Sequence, residues 1–75
     1  KMPGTLDTIY ILKKSTGYNR IQCFALIVEN EDKTVIRCPP IAKWTFGMHI
    51  DKVLAYYNKH NYVITEVKGG NYNTI

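Results

Sequence analysis

The sequence predicts an α+β fold: a single four-stranded mixed sheet in the order β-β-β-α-β, with one helix packed on one face. Three observations predict it. Four segments are dense in β-branched and aromatic residues and are bounded by Gly, Asn, Asp or Pro. One stretch, 47–60, changes to helical spacing. With 75 residues the chain has room for one core, so residues 1–75 form a single small domain. Its core runs from about 6 to 68, with 1–5 and 69–75 as flexible ends.

"LDTIYILKK", Leu6 to Lys14, reads as the first strand, and "STGYN" supplies the residues of a turn. "RIQCFALIVEN", Arg20 to Asn30, is apolar at nearly every position from Cys23 to Val28. A strand of that kind is expected to be central and covered on both faces. "EDK" turns the chain and Thr34–Cys38 returns as the third strand.

Pro39 and Pro40 then stop the pairing, since neither can donate a backbone hydrogen bond. Ile50, Val53, Leu54 and Tyr57 follow i, i+3, i+4, i+7 spacing, one apolar stripe along a helix. Thr45 or Gly47 is placed to cap its start, and Asn61 to close its end in a left-handed conformation. Tyr62–Lys68 is the fourth strand. If the helix makes the return crossing, that strand lies parallel to the third or the first.

The formal charge of +4, from 10 Lys+Arg against 6 Asp+Glu, permits acidic partners without demanding them. No apolar run approaches the ~20 residues of a membrane-spanning helix, and no signal-peptide pattern opens the chain. The expected compartment is the cytoplasm, with no membrane partner. Two cysteines fit it as free thiols. A two-residue turn at Glu31–Asp32 would set Cys38 opposite Ala25 and Cys23 one diagonal step away, so both read as small buried apolar side chains.

An up-and-down path would gather cations at one pole. Lys13, Lys14, Tyr18 and Arg20 surround the first hairpin turn, the third strand would bring Arg37 to that end, and the next loop would add Lys43 and Trp44. Glu29, Glu31 and Asp32 would mark the other pole. Basic side chains interleaved with aromatics hold phosphates and stack bases. They equally anchor protein interfaces. Trp44 itself reads first as a plug, folding with Ile41 and Phe46 over the open end of the core.

Catalytic chemistry finds no support. His49 and His60 are three helical turns apart, roughly 16 Å, and cannot share a metal. Two cysteines without a histidine pair make no zinc site. Asp7, Asp51 and Glu66 sit on separate elements without an acid–base partner. "KSTG" lacks the serine motifs of the enzymes that carry a lysine–threonine–glycine element. No cofactor is implied.

Three strands followed by a helix resemble, in element order, the integrase arm-type and plant-factor domains that read DNA with a sheet face. The resemblance carries no shared motif, and the fourth strand departs from it. The expected function is therefore a non-catalytic macromolecule-binding protein acting through a protein–protein surface. Its type would be an adaptor or inhibitor, phage- and mobile-element-encoded ones included. The alternative is DNA or RNA binding through the basic, aromatic end. An unprotected sheet edge can also add a partner's strand or pair with a second copy.

Overall fold

A computed structural model describes residues 7–68. The flexible ends expected at 1–5 and 69–75 lie outside the described residues, as does Leu6. Strands β1 (Thr8–Gly17), β2 (Arg20–Val28) and β3 (Val35–Arg37) are followed by a 3-10 segment (Pro40–Thr45), helix α1 (Ile50–Lys59) and strand β4 (Val63–Lys68). The sheet order is β3-β2-β1-β4.

Every strand pair is antiparallel, β4 with β1 included, which corrects the expected mixed sheet. The reason lies between β3 and α1. After β3 the chain returns through the 3-10 segment to an extended stretch that runs back along β3's outer edge. Gly47 N–H donates to Val35 O (2.8 Å), Val35 N–H to Met48 O (2.9 Å) and Ile50 N–H to Lys33 O (2.7 Å). Residues 38–49 thus make the crossing expected of the helix. The helix then runs in the direction of β3, and β4 descends antiparallel to β1.

The β1–β2 hairpin is long, its register running from Thr8↔Val28 to Gly17↔Arg20. Gly17 (φ +136°) and Asn19 (φ +53°) take positive φ at the turn, where a Cβ on residue 17 would strain the backbone. The β2–β3 turn is wider than a two-residue hairpin. Lys33 N–H donates to Glu29 O, Glu29 N–H donates to Thr34 O, and Lys33 itself is left-handed at φ +61°. A bulge follows: Val28 faces Val35 and Ile27 faces Arg37, so Ile36 is the extra residue.

The core lies on one face of the sheet. Leu12, Leu26, Val28 and Val35 project from the strands, and Ile50, Val53 and Tyr57 project from α1. The helical stripe read from spacing is the buried face, with Leu54 half-buried beside it. His49 caps the helix instead of Thr45 or Gly47, its Nδ1 accepting from Asp51 N–H at 3.1 Å. Asn61 closes the other end at φ +69°. From the 3-10 segment it is Ala42 and Thr45 that enter the core, both 0% exposed, and the Thr45 hydroxyl donates to Ala42 O at 2.7 Å. Ile41 and Phe46 are exposed, against the expectation that they close the core. Among the described residues no helix is long and apolar enough to cross a membrane.

Candidate functional site

Strand β2 carries apolar residues on both faces, yet among the described residues the core packs on only one of them. Side chains alternate across a strand, so Phe24, Leu26 and Val28 face the core while Ile21, Cys23, Ala25 and Ile27 face away. The register extends that second face over the whole sheet. Ile27 has Ile9 beside it on β1, and Ile9 has Val67 on β4; Ala25 is beside Ile11, and Ile11 beside Thr65. Ile36 and Arg37 continue the first row on β3. Ile21 and Val63 are about two-thirds exposed, at 67% and 65%. The expectation that β2 is covered on both faces is therefore corrected.

The edge of β2 is open as well. β3 is three residues long and pairs only with Ile27 and Val28. Pro39 and Pro40 then turn the chain away, since a proline cannot continue the ladder. Among the described residues, no strand pairs with the side of β2 facing away from β1 between Arg20 and Leu26. The outer edge of β3, by contrast, is occupied by residues 47–50.

Two cavities flank this open edge, one on each side of the sheet. The larger, about 1020 Å³, is lined by Ala25, Ile27, Ile36 and Phe46 and by the Cys38–Pro40 turn, with Arg37 and Lys43 as its charged groups. The smaller, about 260 Å³, is lined by Gln22, Phe24, Ile41, Trp44, Tyr56, Tyr57, Tyr62, His60 and Lys14. Its aromatic wall is continuous. Phe24 meets Tyr57 and Tyr62 edge to face at 5.4 and 5.9 Å, Tyr57 meets Tyr62 at 4.9 Å, and Tyr56 lies 4.3 Å from His60. The Lys14 ammonium sits 5.3 Å from the Tyr62 ring centroid, and the Tyr62 hydroxyl donates to Gln22 Oε1 at 3.0 Å. Burial pushes the Tyr57 phenol above its ordinary pKa, with the Trp44 indole opposing that rise.

The seven residues singled out from sequence divide into three pairs and a single residue. Lys14 and Trp44 meet at the aromatic cavity; Arg37 and Lys43 meet at the apolar groove. Tyr18 (97% exposed) and Arg20 stand at the hairpin tip, and Lys13 lies on the open face beside Cys23 and Val63. Arg37 faces Ile27, seven residues along β2 from Arg20 and so about 23 Å away at 3.3 Å per residue. The single basic pole is therefore absent: β3 pairs with the end of β2 far from the tip. Cys23 is exposed on the open face and Cys38 packs beside the core, so they do not share a face, and both thiols are free. Burial of both cysteines is corrected for Cys23.

Sequence reasoning did not single out Ile9, Ile11, Ala25, Ile27 and Val67. Their signal was present as apolar residues at both parities of β1, β2 and β4. Among the described residues no group of three or more His, Cys, Asp or Glu side chains is arranged to hold a metal. No family model, curated protein or solved structure matches the chain.

Proposed function

We propose that this protein is a non-catalytic binding module that engages another protein through its open sheet face. One observation carries the reading: the apolar row Ile36, Ile27, Ile9 and Val67, with Ala25 and Ile11 beside it, lies outside the core, half-buried or exposed among the described residues. Contiguous apolar surface of this kind is characteristic of a protein interface. Its rim holds Lys13, Arg37 and Lys43, which favours an acidic partner. Two free thiols favour the reducing environment of the cytoplasm.

The test is comparative capture from the native host, using the wild type and the double variant Ile11→Lys, Val67→Lys. A protein held by the first and lost by the second, with circular dichroism unchanged, supports the reading. The same proteins retained by both would overturn it. A second reading, nucleic-acid binding, draws on Lys14 beside Tyr62 and Trp44. DNA or RNA binding whose affinity falls linearly with salt in log–log form would favour it.

A further inference from the structure

The open edge of β2 and the two cavities beside it define how a partner would be held. A strand adding to a sheet edge forms main-chain hydrogen bonds along the edge and sends alternate side chains to opposite faces of the sheet. Along β2, one face opens at Ala25 into the apolar groove, and the other opens at Gln22 and Phe24 into the aromatic cavity. Both cavities border the stretch that β3 leaves unpaired. Of the sheet's other edges, that of β3 is taken by Gly47, Met48 and Ile50, and that of β4, which pairs with β1 alone among the described residues, borders neither cavity.

The charges select the occupant. Arg37 and Lys43 line the groove, while Lys14 and His60 line the aromatic cavity, and neither cavity is lined by a carboxylate. Neither Arg37 nor Lys43 is in an ion pair among the described residues. A second copy would bring the same cations to the same edge. An acidic segment would meet them with opposite charge.

We propose that an extended, acidic segment of a partner protein adds as a strand to the edge of β2 between Ile21 and Ala25. Its apolar side chains enter the groove lined by Ala25, Ile27, Ile36 and Phe46. Its acidic side chains face Lys14 and His60 on the other side, and its flanking acids meet Arg37 and Lys43. Strand addition rests on the protein-binding reading and specifies the mode of that binding. It places the added strand end to end with β3, extending the sheet without disturbing the core.

The experiment uses blocked seven-residue peptides of alternating Glu and Val, the same length of alternating Lys and Val, and the Glu/Val peptide with alternate amides N-methylated. Amide exchange and shift changes are followed by NMR on the full chain. The expected result is that the Glu/Val peptide slows exchange of alternate amides between Ile21 and Ala25. The Lys/Val and N-methylated peptides should bind about tenfold more weakly or worse, and Lys14→Glu with His60→Glu should reverse the charge preference. Three results overturn the proposal: β2 amides left unchanged by the Glu/Val peptide, protection confined to β4, or a concentration-dependent dimer that protects β2 without peptide. The two readings separate in the capture assay. If Ile11→Lys with Val67→Lys loses the captured partner while Arg37→Glu with Lys43→Glu keeps it, strand addition falls and the protein-binding reading stands.

Discussion

The Trp44 ring meets Tyr56 edge to face at a centroid distance of 4.8 Å and leans on Tyr57 at 5.7 Å, yet Trp44 remains 46% exposed. The indole is thus partly packed and partly displayed. It leans on one core residue, Tyr57, and forms one wall of the aromatic cavity.

Trp44→Ala should therefore lower stability without abolishing folding. Losing two aromatic contacts of about 0.5–1.5 kcal/mol each gives a loss of about 1–3 kcal/mol, to which any lost apolar burial adds. For a domain of this length each kcal/mol lowers Tm by about 4–8 °C. A melting temperature unchanged within a degree would show that the ring contacts contribute nothing to stability.

Leu12→Ala tests the core itself. Leu12 is fully buried between Phe24 on β2 and Ile64 on β4. The expected loss is about 2–5 kcal/mol, a large part of the ~5–15 kcal/mol that such domains possess. Urea unfolding of the variant should show a much lower midpoint. A midpoint equal to that of Trp44→Ala would place the centre of the core elsewhere.

The thiols should differ sharply in reactivity. Cys23 is exposed on the open sheet face, whereas Cys38 packs against the core. A thiol reagent added to the native protein should label Cys23 at least about tenfold faster. Binding of a partner over the sheet face should slow that labelling, read by mass spectrometry of the two cysteine-containing peptides. Equal native rates would contradict the placement of Cys38.

Alkaline pH should destabilise the fold. Burial raises the Tyr57 pKa above 10.0, and burial with the Glu66 and Asp51 charges raises that of Tyr10. The folded state thus favours the neutral phenols. Their contribution is complete below pH 10.0 and is lost as pH rises through the raised values. Tyr57→Phe should flatten the fall in Tm above pH 10.0 and leave the neutral-pH slope unchanged. An equally steep fall in the variant would assign the effect to other groups.

Much of the candidate site was readable, but only in pieces. Lys14, Trp44, Arg37 and Lys43 all line cavities at the β2 edge, and their residue types alone drew attention to them. Their grouping was not readable, because it depends on where β3 pairs. A two-residue turn at Glu31–Asp32 would set Arg37 opposite Leu26, still six residues along β2 from Arg20. The observed pairing of Val28 with Val35 keeps that register, and the bulge at Ile36 moves Arg37 one residue further from the tip, beside Ile27.

The sequence by itself determined the order of elements, the long first hairpin and the buried stripe Ile50, Val53 and Tyr57, because spacing and turn residues act locally. Only the tertiary structure decided that β4 descends antiparallel on β1, and that among the described residues the core packs on one face of the sheet. Strand direction depends on how far the chain has travelled back before the helix begins, and residues 38–49 make that journey without regular periodicity. Coverage of a face depends on which elements pack over it. Among the described residues, one short helix and one 3-10 segment pack on a single side, whatever the alternation of side chains would permit.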